Sequence, residues 1–168
     1  MILVSVGNAT QPFDRFLHAV EAALQLLGVG DVVWQVGTCR HVPGPGRVER
    51  FLRKEEFEAV LSSAAVYICQ AGVGSVMEGV LLGKTPIVMA RRRGEGEVVN
   101  DHQRDLEREL VRLGWVLRGE SATEIASAVR RVLTGGTPVR PSHLQLLRPR
   151  LERLLSEVSG RIERESGE

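Results

Sequence analysis

The sequence predicts an α/β domain: a mostly parallel sheet with helices on both faces. Three observations carry this reading. Short β-branched runs alternate with longer amphipathic stretches, the rhythm of βαβ units. The short runs are continuously apolar, as strands covered on both faces are. The breaks between them fall on glycine, proline and small polar residues.

The elements follow in order. Residues 2–6 (ILVSV) form a first strand that stops at Gly7. Pro12 suits the first turn of a helix, with Thr10 or Gln11 before it as cap. That helix runs to about Leu27, where Gly28 ends it. Residues 32–36 form a second strand, followed by a Gly/Pro loop, GTCRHVPGPGR. Residues 48–52 read as a short third strand and 54–64 as a helix. Residues 66–69 are the fourth strand, 75–82 a helix closed by Gly83, and 86–90 the fifth strand. A charged loop, RRRGEGEVVN, leads into a helix at about 101–113. Residues 115–117 form a last short strand and 122–133 another helix. GGTP at 135–138 breaks the chain, and 142–162 reads as helical. The expected organisation is therefore a sheet domain at 1–133, a C-terminal helical extension at 142–162 and a disordered tail at 163–168.

Composition narrows the function classes. A chain of 168 residues with 43% apolar and 26% charged residues fits one soluble globular domain. A net charge of +1 gives no general pull toward nucleic acid or an acidic membrane. Aromatics at 4% leave no stacking platform for single strands, so no nucleic-acid partner is expected. Two cysteines, Cys39 and Cys69, make no disulfide framework and point to a reducing cytoplasm. The N-terminus lacks a basic region and turns polar after six residues, so it reads as a strand rather than a signal peptide. No apolar run approaches the ~20 residues of a membrane span. Any membrane work is expected to pass through the surface or a partner.

Several motifs fail on inspection. Gly79 to Thr85 (GVLLGKT) has three residues between its glycines where a P-loop has four, and it follows a helix instead of a strand. Gly83 reads there as a helix cap and Lys84 as a solvated turn residue. Gly72-x-Gly74 lacks the third glycine of a dinucleotide fingerprint, which would fall at Met77. There is no D-x-D to hold a diphosphate-bound metal and no G-x-S-x-G elbow. His18, His41, His102 and His143 show no recognised zinc spacing, so no metal site is expected.

Ligands of such sheets sit beyond the carboxyl ends of the strands. That selects the loops after Val6, Cys69 and Ala90. Gly7-Asn8-Ala9-Thr10 and Ala71-Gly72-Val73-Gly74-Ser75 each precede a helix, where free N–H groups and the helix dipole attract anions. They equally suit tight βα turns with ordinary caps. Glu78 has two readings. Ser75-x-x-Glu78 matches a capping box. Alternatively, Glu78 is a carboxylate one turn into the helix, accepting hydrogen bonds from a vicinal diol such as a ribose. Asn100-Asp101-His102-Gln103 either caps the next helix or reads the hydroxyls of a sugar. Arg91, Arg92 and Arg93 suit pairing with phosphate, or, with the GEGE that follows, a solvated mobile hairpin.

The stretches VSVGNATQPFDRFLHAV, ICQAGVGSVMEGVLLGKTPIVMARR and NDHQRDLERELVRLGWVL together resemble the C-terminal, donor-binding half of GT-B glycosyltransferases of family 28. The likeness is greatest to single-domain members: catalytic subunits of two-component N-acetylglucosaminyltransferases and bacterial polysaccharide-biosynthesis subunits. It covers about residues 1–133. Its most specific block is 71–103, with AG-x-G-S-x-x-E, G-K-x-P-I-V and D-H-Q in order.

The resemblance implies a Rossmann-like fold, the C-terminal half of GT-B, and a UDP-sugar donor, UDP-N-acetylglucosamine or another UDP-hexose. It implies that Glu78 takes the ribose hydroxyls. The turn of Gly72, Val73, Gly74 and Ser75 and the loop of Gly7, Asn8 and Thr10 would hold the diphosphate. Leu52, beside Phe51, would meet the uracil. His102 and Gln103 would face the sugar or diphosphate; from their chemistry and position, Arg92 and Asp101 join the expected donor-binding set. No metal or other cofactor is implied.

Two-domain members carry the acceptor half, and with it a base, ahead of the donor half. Here the chain begins at the donor half, and His102 is a weak candidate for a base. The expectation is an inverting transferase subunit in the cytoplasm. A membrane-anchored partner would recruit it to the inner face of a membrane and present a lipid-linked or glycan acceptor. A non-catalytic nucleotide-sugar-binding module and a UDP-sugar 2-epimerase-like enzyme are the alternatives. Leu144, Leu147, Leu151, Leu154 and Val158 make a narrow apolar seam. It fits packing on the domain's own sheet or docking to such a partner, with Pro149 kinking its path.

Overall fold

The structure, a computed structural model, describes residues 1–97 and 102–136; at 102, 103, 105 and 106 it describes the backbone. The segments read at 142–162 and 163–168, with the apolar seam, lie outside these residues, as does Asp101.

Six strands form one sheet: β1 (Ile2–Ser5), β2 (Val32–Gln35), β3 (Arg47–Glu49), β4 (Val66–Gln70), β5 (Ile87–Met89) and β6 (Leu117–Arg118). Their order is β3-β2-β1-β4-β5-β6, and every neighbouring pair is parallel. The helices between them are α1 (Asp14–Leu27), α2 (Lys54–Ser63), α3 (Val73–Leu81), α4 (His102–Arg112) and α5 (Ala122–Leu133). A 3₁₀ turn occupies Arg93–Glu95. The predicted α/β class and parallel sheet are what the chain forms.

Strand alternation sorts the core into two layers. Ile2, Val4, Val32, Trp34, Val66, Ile68, Ile87 and Met89 pack with the apolar stripes of α1 and α5. The intervening residues, among them Leu3, Val33 and Tyr67, are also buried. They face the other layer, where the Phe57 ring of α2 meets Tyr67 edge-on at 6.2 Å. α3 lies close on the same layer. A Cβ on Gly79 would stand 2.7 Å from the Tyr67 ring, so only glycine permits that approach.

Several boundaries differ from the sequence reading, each for a physical reason. α1 begins at Asp14, with Phe13 at its cap position, and not at Pro12. Tertiary bonds hold the chain out of the helix there. The Phe13 amide donates to Cys39 Sγ at 3.0 Å, and the Asp14 carboxylate accepts from the amides of Arg40 and His41. β3 is three residues long and starts at Arg47, as suits an edge strand with one neighbour. β6 falls at Leu117–Arg118.

α3 starts at Val73, with Gly72 in extended conformation at its cap. Ser75 is therefore the third helical residue and no side chain caps this helix, so Ser75 and Glu78 do not form a capping box. Lys84 is no free turn residue either. Its ammonium donates to the carbonyls of Ser62 and Ala64, at 2.9 and 2.6 Å, closing the C-terminus of α2.

Candidate functional site

In this strand order the sheet winds outward in both directions from β1 and β4. A crevice opens at that switch point, beyond the strands' carboxyl ends. A cleft of about 500 Å³ occupies it.

Its floor is made by the last residues of three neighbouring strands. Ser5, Gln35 and Gln70 are polar and buried at 1, 3 and 8% exposure, where apolar side chains would be expected. Ser5 and Gln35 are hydrogen-bonded in a chain, while Gln70 is held by Arg91. The Gly7 amide and the Gln35 side-chain amide both donate to Ser5 Oγ, at 3.1 Å each. Gln35 Oε1 accepts the Leu52 amide at 3.0 Å. This chain fixes the start of the β1 loop and the segment entering α2 against one floor.

Gly7 has φ +74, and a Cβ on it would stand 1.9 Å from Gln70 Nε2 and 3.3 Å from Ser75 Oγ. Both the backbone and the space demand glycine. The same contact puts the Ser75 hydroxyl directly opposite the β1 loop. The first-turn amides of α3 have no partner within the helix, which leaves them to water or a ligand. Val76 is the first residue whose amide reaches back, to the Gly72 carbonyl at 3.0 Å.

Gly7, Asn8, Leu52, Gly72, Gly74, Ser75 and Glu78 all line this cleft, together with Ala9, Lys54 and Phe57. Glu78 lies three residues beyond Ser75, on the same helix face. Its side chain is exposed. Partial burial, then the nearby Glu58, raises its pKa, and Lys54 opposes them.

Other predicted residues are elsewhere. Val73 turns its side chain to solvent and can offer its first-turn amide. Thr10 is exposed, with its carbonyl accepting from Thr38 Oγ1 at 2.9 Å. Arg92 is not brought to the cleft. Its guanidinium pairs with Glu120, and that bond raises its pKa. His102 and Gln103 open α4.

Two functional features escaped the sequence reading. Arg91 is buried at 1% exposure, neither a phosphate-binding surface cation nor part of a mobile hairpin. It donates to the carbonyls of Val6 (3.1 Å), Gln11 (2.8 Å) and Glu97 (3.0 Å) and to Gln70 Oε1 (2.6 Å). Its guanidinium also lies over the Phe13 ring, 4.6 Å from the centroid. One side chain thus ties the end of β4 to the loops that follow β1 and β5. Burial lowers its pKa, while Cys39 and Glu97 act the other way.

Glu97, from the GEGE stretch, is also buried; it accepts from Arg15 and from the Arg92 amide. The polar endings of three apolar runs were visible in the sequence and could have marked the floor. Nothing local distinguishes Arg91 from Arg92.

Away from the cleft, His18, Glu21 and His41 come together, with ligand-capable atoms within 4.8 Å of one another. The sequence reading expected no metal site. It treated the histidines singly and could not place His41 beside α1.

The chain matches the description "Glycosyltransferase family 28 C-terminal domain" over residues 1–141. It is 32% identical over 121 residues to the UDP-N-acetylglucosamine transferase subunit ALG13 of Mus musculus, covering 66% of this chain and 10% of that protein. It is 27% identical over 124 residues to the subunit of the same name from Yarrowia lipolytica, covering 67% and 61%. The chain thus spans a tenth of the first relative and under two thirds of the second.

An NMR structure of ALG13 superimposes with a TM-score of 0.59 at 19% identity, covering 92% of this chain and 94% of that one. Os79 from O. sativa, solved in complex with UDP, gives 0.60 at 16%, covering 94% and 36%. The calicheamicin glycosyltransferase CalG4 gives 0.55 at 20%, covering 94% and 38%. At these identities the structural likeness is one of fold. Together with the family match, it means that this chain belongs to glycosyltransferase family 28, whose C-terminal domain it carries.

Proposed function

We propose that the cleft binds a UDP-sugar, UDP-N-acetylglucosamine or another UDP-hexose, and that the chain is the donor-binding subunit of a hexosyltransferase. One observation carries this reading: residues from the β1 loop, the entry to α2 and the β4–α3 turn converge on one cleft at the switch point.

The diphosphate lies against the first-turn amides of α3 and the Gly7–Asn8 backbone, where partial positive charge meets it without a metal. The Ser75 hydroxyl donates to it. Glu78, one turn deeper along α3, accepts from the ribose hydroxyls as a charged acceptor. Because the Leu52 amide is already held by Gln35, the uracil is met by the Leu52 carbonyl and side chain, beside the exposed Phe51 ring. As the sugar leaves, charge grows on UDP, and the fixed amides stabilise it.

The acceptor hydroxyl and its base come from a partner. ALG13 is named a transferase subunit, which supports a two-protein enzyme here too. Among the described residues no helix is long and apolar enough to cross a membrane. In this proposal the membrane anchor and the lipid-linked or glycan acceptor belong to the partner, with this chain working at the inner face of a membrane. The roles that the resemblance implies for His102 and Gln103, facing the sugar or diphosphate, are kept in this proposal, with Asp101 beside them in sequence.

Calorimetry with UDP, UDP-N-acetylglucosamine and ADP tests the site. UDP should bind more tightly than ADP. Glu78→Gln should weaken UDP by roughly tenfold or more, the worth of a hydrogen bond to a charged group, without changing the melting temperature. Equal affinity for UDP and ADP would sink the proposal.

A further inference from the structure

The His18, Glu21 and His41 cluster lies outside the donor cleft and has no part in the chemistry above. His18 and Glu21 stand three residues apart on α1, so they share a face. His41 comes from the loop between β2 and β3. Its Nε2 is 2.7 Å from Glu21 Oε2, and its ring lies 3.9 Å from that of His18, centroid to centroid, with planes 31° apart.

Two imidazoles and a carboxylate are a donor set suited to zinc-class ions. With bonds of ~2.0 Å, the ligand atoms of a tetrahedral shell lie roughly 3.3 Å apart. The present spacings, 2.7 Å for one pair and at most 4.8 Å for any, bracket that value. Small side-chain rotations would make them equal.

The supporting bonds are already in place. The other oxygen of Glu21 accepts the Gly44 amide at 2.9 Å, which leaves Oε2 aimed at the histidines. The His41 amide is held by Asp14 at 2.8 Å. Such outer partners orient metal ligands. Asp14 and Glu21 already fasten the loop to α1, through Arg40, His41 and Gly44. The third donor, the exposed His18 ring, rests against the His41 ring, takes no part in those hydrogen bonds and completes a metal-binding triad.

We propose that His18, Glu21 and His41 bind a divalent first-row metal ion of the zinc class, with water in the remaining position. The ion is structural. It clamps the 37–46 loop to α1, and that loop in turn braces the loop after β1 through Thr38 to Thr10 and Cys39 to Phe13.

The test uses the whole chain stripped of metal with a chelator. Titration with Co²⁺ should give the intense visible bands of a four-coordinate N/O site, saturating at about one equivalent. Zn²⁺ should abolish the bands and raise the melting temperature, since an ion that binds only the folded state stabilises it. His18→Ala should lower the affinity by roughly tenfold or more, as loss of even an outer-shell partner can. It should lower the melting temperature of the metal-free protein only slightly, by the lost ring contact, because the Glu21 bonds to His41 and Gly44 remain. His41→Gln and Glu21→Gln should also lose the Co²⁺ bands. UDP binding, measured in parallel on the metal-free protein, keeps a failure of the donor site separate from a failure of the metal site. Absence of Co²⁺ bands in the parent chain, or equal Co²⁺ and Zn²⁺ affinity in parent and His18→Ala, overturns the assignment.

Discussion

Arg91→Met would remove the side chain that joins the end of β4 to the loops after β1 and β5. Five acceptors lose a donor: the carbonyls of Val6, Gln11, Pro12 and Glu97, and Gln70 Oε1; Pro12 is exposed and its bond is long, at 3.3 Å, which leaves four that weigh in the sum. Each unsatisfied buried acceptor costs about 1–3 kcal/mol, so the gross loss is about 4–12 kcal/mol. Loss of the contact with Phe13 adds about 1 kcal/mol.

Against this stands the arginine's own desolvation, several kcal/mol, which methionine does not incur. Relaxation of exposed loop segments such as Pro12 lowers the sum further. The net expectation is a loss of about 3–4 kcal/mol. For a chain of this size that is roughly 10 °C in melting temperature. Arg91→Lys keeps the charge but not the planar fork, and should lose about half as much.

Urea denaturation gives the stability. Calorimetry with UDP, run well below the variant's melting temperature, gives the affinity, which should fall because Gly7 and Gly72 are no longer held in register. A Met variant within about 1 kcal/mol of the parent, with normal UDP affinity, would refute the claim that Arg91 organises the cleft.

Three further perturbations follow from the same geometry. Gly7→Ala puts a Cβ 1.9 Å from Gln70 Nε2 at a φ of +74; left-handed strain alone costs about 1–2 kcal/mol, so urea denaturation should register at least that much and UDP affinity should fall with it. Burial, then Glu120, pushes the Glu107 carboxyl from 4.5 up to about 7 against the pull of Arg118. The folded state then holds this proton more tightly than the unfolded chain does. The stability from this group is therefore full below about 4.5 and lost as pH rises through about 7; Glu107→Gln should flatten that slope in denaturation curves run at several pH values and be the more stable protein at pH ~8. Lys84→Met removes the two bonds that close α2, and thermal melting should report a loss of about 1 kcal/mol with UDP affinity unchanged.

What could be read from the sequence, and what could not, divides by the range of the interaction. Strands β1, β2, β4 and β5 were legible because a parallel sheet covered on both faces demands unbroken apolar runs, and these end sharply. The end of α1 was legible because Gly28, at φ 66, supplies a local backbone signal. Its start was not, because Phe13 is held by Cys39, 26 residues away. Glu97 looked solvated at the end of the GEGE stretch, and is buried by Arg15, which is 82 residues distant. Arg91 and Arg92 have the same side chain and adjacent positions. One turns inward beneath the loops after β1 and β5 and the other outward to Glu120. That difference comes from strand alternation at the end of β5 and the paths of distant loops, which no window of sequence contains.

The pattern S-x-x-E occurs at two helix starts in this chain, and the fold uses it in two ways. At 121–124 it caps: Ser121 is extended, its Oγ accepts the Glu124 amide at 3.3 Å, and Glu124 accepts the Glu120 amide at 2.8 Å. At 75–78 it does not, and the length of the preceding link decides this. The Ala71 amide still pairs with the Met89 carbonyl, so the sheet holds the chain to within one residue of the turn. Gly72 then takes the cap position, and the helix is under way two residues before Ser75. The hydroxyl is left to face Gly7, and the carboxylate falls one turn along the cleft wall, free of its own backbone. A cap at Ser75 would have needed five linking residues after β4 and would have drawn Glu78 back onto its own helix. The two-residue link both shortens the turn and hands the carboxylate to the cleft. The identity of residue 78 therefore matters to a ligand more than to the stability of α3.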